Sequence, residues 1–575
     1  MDAAPARQFV FAVQPLALPL PSSVAAFGQA RRWIAAASLM QAFLWAGGCA
    51  APTGKPLADA VLADAPIAEL TGEGLGIASL DSDPAEGPTE LGRLPSDNLP
   101  AVGAIRKGNS DRIVLIGHVI GPGADYFGAV LVQGSKIVCV GPDTVCTSDP
   151  AAIGATVVNT GGILTAGLID THNHILFDIF NNDDWLPAQT YQDHTQWPME
   201  ARYGEMLDIK QCLENASQGK PAWCAKTSYG SASGHIKCEM DKWGELKGLI
   251  AGTTSIVGLP GTAAACFGSL ARSVDTAHNG LGVDKIQTSA IFPPSQAAAD
   301  GVCQNMASGA TSAYLVHVGE GINDKALAEF ATLGKASSNP ECLYAAGTTI
   351  THGTAFGAAE FAKMAKINMK LTWSPASNFA LYGSTTNIPL ARAAGVTVAL
   401  APDWSMGGSQ NMLDELRFAD SWDNKHWNDT LTAKDLLDMA TTDAAAAIGL
   451  GQTLGRLQVG YMADLVVFAG SAAQPYQAVL AARPQNVKLV MVGGVVLYGD
   501  VAWQALGPSA PGCEVVPICG SSKFVCAATT DSTNKLNQTV ATIEAVLQQA
   551  MLDVDAQTPN DGFTFAPVAP LVQCE

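Results

Sequence analysis

Residues 161–175 read GGILTAGLIDTHNHI. A run of small and apolar residues, of the kind that forms a buried strand, ends in His172 and His174, two of only nine histidines in the chain. Side chains two apart in a strand share a face, so the spacing predicts two imidazoles aimed at one point. Other short apolar runs downstream also end in groups able to bind a cation. AYLVHVGE gives His317 and then Glu320, TTITHG gives His352, and TVALAPD gives Asp403.

Between 163 and 450 the runs GILTAGLID, TTSIVGL, LARSVD, KIQTSAIF, SAYLVHV, TTITHG, NMKLTWS and TVALAPD alternate with helix-like stretches such as DKALAEFATLG and GAAEFAKMAK. That alternation predicts an α/β fold, a (β/α)8 TIM barrel over 163–450, with its site at the C-terminal ends of the strands. The rival, a doubly wound sheet, loses support because neither GxGxxG nor GxxxxGK[ST] occurs. Two β-rich segments, 109–162 and 451–505, flank the barrel and are expected to form one small β-sandwich domain. The long interruption at about 176–245 is expected to cover the barrel mouth. Residues 506–575 read as a cysteine-containing tail with one amphipathic stretch, TVATIEAVLQQAML.

The N-terminal part has a different character. Arg31 and Arg32 precede the apolar run Trp33 to Trp45, and AGGC follows, ending at Cys49. Basic residues, a short apolar run and small residues describe an export signal, expected over 1–49. The small-small-Cys ending resembles a bacterial lipoprotein signal, which implies a lipid on Cys49, a periplasmic or envelope-anchored protein, and no other membrane contact. Thirteen cysteines leave an even number once Cys49 is set aside, as pairing in an oxidising compartment requires. Cys139 with Cys146, and pairs among Cys513, Cys519, Cys526 and Cys574, are the candidates. Residues 50–108 are rich in Ala, Pro, Gly and acidic residues without a helix or strand period, and read as a flexible tether.

Composition narrows the partners. With 48% apolar and 15% charged residues, the chain can bury a large core. A net charge of −20 argues against nucleic acid as a partner by general electrostatics. A small molecule is the expected substrate.

Four strand ends thus bring His172, His174, His317, His352 and Asp403 toward one mouth, and three neutral imidazoles with a carboxylate suit a divalent ion, Zn²⁺ foremost, with Fe or Mn as alternatives. The whole constellation resembles the amidohydrolase superfamily of metal-dependent hydrolases, in its deaminase and chlorohydrolase-like branch. GLIDTHNH is similar to the family's first-strand motif and HVGE to its fifth-strand His-x-x-Glu. SPASNFALYG, APDWSMGGSQNMLDELR and ATTDAAAAIGLGQTLGRLQVGYMADLVVF resemble its later segments. The resemblance implies hydrolysis of a C–N bond (amide, cyclic amide or amino-substituted heterocycle) by metal-activated water. His172, His174, His317 and Asp403 would hold the ion, Asp403 would also be the general base, His352 would stabilise developing negative charge, and Glu320 would carry protons to the leaving nitrogen. Binuclear relatives bridge two ions with a lysine on the fourth strand, whereas Lys285 stands at the wrong end of that strand, which favours one ion. Trp373 and Trp404, where relatives carry other residues, are candidates for contact with substrate. A binuclear peptidase-like hydrolase and an inactive surface-anchored binding protein are the alternatives.

Overall fold

The computed structural model describes residues 99–574, except 216–220, 222, 225–235, 260–269, 277–279, 282–284, 510–511, 529–536 and 560–562. The export signal at 1–49 and the tether as far as 98 lie outside the described residues. Among the described residues no helix is long and apolar enough to cross a membrane.

The quoted stretch divides between two sheets. Its first half completes a long strand that belongs to a sheet built from both ends of the chain. The leading strands are β1 (Ile105–Arg106), β2 (Ile113–Gly121), β3 (Ala124–Gln133), β4 (Lys136–Gly141) and β5 (Thr156–Ala166). The second half opens a parallel series: β6 (Leu168–Asp170), β7 (Thr253–Ile256), β8 (Arg272–Ser273), β9 (Ile286–Ser289), β10 (Ala313–Val318), β11 (Thr348–His352), β12 (Lys370–Trp373) and β13 (Thr397–Leu400). The chain then returns to the first sheet through β14 (Leu465–Phe468), β15 (Val487–Val492), β16 (Val495–Asp500), β17 (Glu514–Ile518) and β18 (Ser521–Val525).

The first sheet runs β17-β18-β16-β15-β14-β5-β2-β3-β4, with β1 also on β5. Where a sandwich is expected, the hydrogen bonds make one continuous ten-stranded sheet. Two boundaries also move. The sheet begins at Ile105, inside the span expected to be tether, because β1 pairs with Val157 and Val158 of β5. Its far edge, β17 and β18, comes from the segment expected to be a tail. The amphipathic stretch of that segment forms the helix Val540–Asp555, which buries Val540, Ile543, Leu547, Ala550, Met551 and Val554 along one face.

Every barrel strand expected from the sequence forms. They lie in two parallel arcs, β6-β7-β8 and β9-β10-β11-β12-β13. A parallel bridge between Asn173 and Asp403 joins the first strand of the series to the last, just beyond their C-terminal ends. Helices such as Asp324–Leu333 and Ala358–Ile367 follow their strands and bury one face each, as a parallel sheet with covered faces requires.

The switch from one sheet to the other occurs at Gly167. A Cβ there would collide with the side chain of Thr254 on β7, so only glycine lets β6 lie this close to its neighbour. The two sheets are tied by a buried ion pair. Arg272 on β8 donates from Nε and Nη2 to Asp464, at 2.9 and 3.0 Å, and Gly493 N–H donates to the same carboxylate. Five disulfides are described: Cys139–Cys146, Cys212–Cys224, Cys303–Cys342, Cys513–Cys526 and Cys519–Cys574. Cys238 is also disulfide-bonded. Pairing within the C-terminal set follows the expected candidates.

Removing one partner of a buried pair strands the other charge in the interior. Asp464→Ala is therefore expected to destabilise the chain by about 3–5 kcal/mol, read as an earlier urea midpoint.

Candidate metal centre

β6 ends at Asp170, so His172 and His174 sit just past the strand and not within it. Their convergence comes from a clamp instead of strand alternation. Asp170 accepts the His172 backbone N–H at 3.0 Å and the Asn173 side-chain amide at 2.9 Å. On the other side, Asp403 N–H donates to the His172 carbonyl at 3.0 Å, and His174 N–H donates to the Asp403 carbonyl at 2.7 Å. The two histidine rings lie 5.0 Å apart, centroid to centroid. Asp403 holds a φ of 73°, a region costly for a non-glycine residue and found where surrounding contacts over-determine the backbone.

The side chains meet at one place. His172 Nε2 is 2.9 Å and His174 Nε2 3.5 Å from Asp403 Oδ1. The other carboxylate oxygen accepts from Ser377 Oγ at 2.7 Å. The His317 ring is 4.6 Å from that of His172, and its Nδ1 lies 3.0 Å from the Ser289 carbonyl. A carbonyl only accepts, so Nδ1 carries the hydrogen and Nε2 keeps a free lone pair. Ligand atoms of His172, His174 and Asp403 form one compact group, and those of His172, His317 and His352 another.

Burial decides the charge state of these rings. Desolvation pushes His172 and His317 down to about 3, with the field of His172 adding to the effect at His317. His174 and His352 are also held well below the usual histidine value, again chiefly by burial. Neutral imidazoles at neutral pH are what a metal ligand must be. His172 Nε2 makes no hydrogen bond although it is buried and close to a carboxylate oxygen. A buried ring nitrogen left without a hydrogen bond beside a carboxylate oxygen is a pair that a shared cation satisfies, so the donor set fits a divalent ion.

The centre opens into a cavity of about 340 Å³ lined by His174, His194, His317, Glu320, His352 and Asp403 and walled by Phe177, Trp197, Tyr203 and Trp404. The aromatic wall includes residues from the long interruption, so that segment does reach the mouth. Glu320 is 6% exposed. Burial pushes its carboxyl up to about 7 against the pull of His194. Trp197 Nε1 donates to the Tyr382 hydroxyl at 3.0 Å, and Tyr382 donates to Glu320 Oε1 at 2.6 Å. The other oxygen, Oε2, lies 3.9 Å from His352 Nε2.

Two expected substrate contacts part company here. Trp404 lines the cavity, its ring 5.6 Å from that of His174. Trp373 does not line it. It is fully buried, donates to Thr385 Oγ1 at 2.7 Å, and packs on Trp427. The large side chain at the end of β12 is used by the core. Conversely, His194 carries no strand-end signal, yet it stands in the cavity wall. Burial opposes its charge, but the Glu329 carboxylate 2.6 Å from its Nε2 outweighs that and raises its pKa. Ser377 and Asn378 belong to a quoted motif but show no role until the fold sets them against Asp403 and His352.

Residues 271–497 match the model of the Amidohydrolase family. The chain is 25% identical over 404 residues to the 5-methylthioadenosine/S-adenosylhomocysteine deaminase of Desulforudis audaxviator (strain MP104C), covering 66% of this chain and 91% of that protein. It is 22% identical over 415 residues to the 5'-deoxyadenosine deaminase of Methanothermobacter thermautotrophicus, covering 68% and 94%. Its fold is similar to that of a variant of the atrazine chlorohydrolase TrzN from Arthrobacter aurescens TC1 complexed with zinc and atraton. That likeness has a TM-score of 0.51 and 16% identity, over 69% of this chain and 96% of the other.

A partner that hydrogen-bonds a ligand fixes the ligand's orientation, and losing it weakens the metal's hold. Ser377→Ala frees one oxygen of Asp403 and is expected to weaken metal binding by about 10–100-fold, measured by competition with a chromogenic chelator.

Proposed function

The chain belongs to the amidohydrolase superfamily, in its deaminase and chlorohydrolase branch, and from that premise we propose that it removes an amino group from a planar, amino-substituted heterocycle. It is a metal-dependent hydrolase of C–N bonds in small molecules. The observation that carries the finer reading is the meeting of His172, His174, His317 and Asp403 with His352 and Glu320 at one aromatic-walled cavity. In this reading the eight strands close as one (β/α)8 barrel, supported by the bridge between Asn173 and Asp403. Export to an oxidising compartment, with a lipid on Cys49, belongs to the same proposal and draws support from the disulfides.

His172, His174, His317 and Asp403 would hold one ion, zinc by preference. When bound, that ion supplies a Lewis acid that lowers the pKa of a coordinated water toward about 7. Asp403 receives the proton of the attacking water, its carboxylate held by Ser377. His352, fully buried beside the cavity, donates a hydrogen bond to the oxygen that adds to the substrate carbon. Glu320 delivers a proton from Oε2 to the departing nitrogen, since Tyr382 occupies Oε1. Trp404 and the neighbouring aromatics stack on a flat ring and exclude bulk water. The products are the oxo-substituted ring and ammonia. Relatives named as deaminases support an amino group as the leaving group.

A binuclear reading has one observation in its favour, the second group of ring nitrogens from His172, His317 and His352. The placement of Lys285 just before β9, away from the strand's C-terminal end, speaks for one ion.

Metal analysis of the purified chain is expected to give one zinc per chain. A preparation active without any divalent ion would overturn the reading. Ammonia release from a panel of amino-substituted heterocycles tests the reaction, with amides and lactams as the comparison. Glu320→Gln is expected to cost about 10²–10⁴-fold in kcat/KM. Glu320 must hold a proton to donate it, so wild-type activity declines as pH rises through about 7, and the variant loses that alkaline limb.

A further inference from the structure

The indole N–H of Trp373 can only donate. It donates to Thr385 Oγ1 at 2.7 Å. The Thr385 hydroxyl then directs its own proton to Asn378 Oδ1, 3.5 Å away. That orients the Asn378 amide, whose Nδ2 is thereby set 3.0 Å from His352 Nδ1. An amide nitrogen donates and does not accept. Nδ1 is therefore the acceptor, and a neutral ring carries its hydrogen on Nε2, the nitrogen nearer Glu320. Trp373, Asn378 and His352 are at most 1% exposed and Thr385 is 8% exposed, so bulk water does not compete for these bonds. The next residue, Thr386, donates from Oγ1 to the His352 carbonyl at 2.7 Å, so one short segment holds both the backbone and the ring of this histidine.

We infer that Trp373 is a positioning residue, acting through Thr385 and Asn378 to hold His352 in its Nε2–H tautomer. The consequence for chemistry rests on the function proposed above. An Nε2–H ring donates to the oxygen that adds to substrate, and it has no Nε2 lone pair to offer a second ion beside His172 and His317. The tautomer itself is independent of that function, and the Trp373 side chain never enters the cavity.

The test is two-bond ¹H–¹⁵N correlation of the imidazole nitrogens in the full chain, with His352 assigned by its absence in His352→Gln. Wild type is expected to show one Nε2–H pattern for His352. Trp373→Phe removes the donor while keeping an aromatic ring, and Thr385→Val breaks the same relay with little change in volume. Hydrogen bonds of this kind are worth about tenfold in an equilibrium. Each variant is therefore expected to add an Nδ1–H pattern of at least about a tenth of the His352 signal. Asn378→Asp offers Nδ1 only acceptors and is expected to move His352 to Nδ1–H. Should Trp373→Phe fail to fold, Thr385→Val carries the same expectation. A wild-type ring protonated on Nδ1, or a single unchanged Nε2–H pattern in the relay variants, overturns the inference. Failure to find any C–N bond hydrolysis would leave these patterns as they are, so the two readings fail separately.

Discussion

Two backbone hydrogen bonds hold this molecule's chemistry together. Asp403 N–H to the His172 carbonyl, and His174 N–H to the Asp403 carbonyl, stitch the exit of the first barrel strand to the exit of the last. Main-chain pairing sets atomic positions more tightly than long side chains can, so the ligands on both segments inherit a common register. It also explains the backbone of Asp403, whose left-handed φ is maintained because its N–H and C=O are both committed. Everything else at the centre is arranged around that stitch. Asp170 braces it from the strand side, and Ser377 takes the carboxylate oxygen that the histidines do not face.

Burial supplies the second constraint. Four imidazoles and two carboxylates share a small volume in which charge is expensive. The rings respond by staying neutral and Glu320 by keeping a proton near neutrality. The result is a set of free lone pairs for a cation beside a group able to give up a proton. Two indoles, Trp197 and Trp373, each begin a chain of hydrogen bonds ending on a residue at the cavity. An obligate donor at the head of a chain removes the ambiguity of every hydroxyl and amide behind it.

Much of the fold is legible in the sequence because its strands are short apolar runs and its helices show a clear period. The residues from β6 to β13 follow the runs read from the chain almost one for one. Long-range pairing is less visible. Alternation in 109–162 and 451–505 says that both are β-rich, but whether their strands make one sheet or two depends on hydrogen bonds between segments some 300 residues apart, such as β5 with β14. The two-residue β1 is too short to show a period, and the pairing of β17 with β18 and of β18 with β16, between flanking cysteines, depends on partners that no local pattern names. Trp373 sits at the end of a barrel strand, as a substrate contact would, yet its indole points to Thr385. His194 gave no signal, since it lies in an irregular stretch whose path over the mouth no local pattern encodes.

By itself the sequence determined the types of group available and their positions at strand ends. Residue type and apolar periodicity are local properties of the chain. The tertiary structure alone decided which of those groups meet, how dry their surroundings are, and which nitrogen of His352 holds its hydrogen. Distance, desolvation and hydrogen-bond direction arise between segments remote in the chain. His172 and Asp403 are 231 positions apart and come within 2.9 Å, an encounter that the bridge between their two segments brings about and no local pattern encodes.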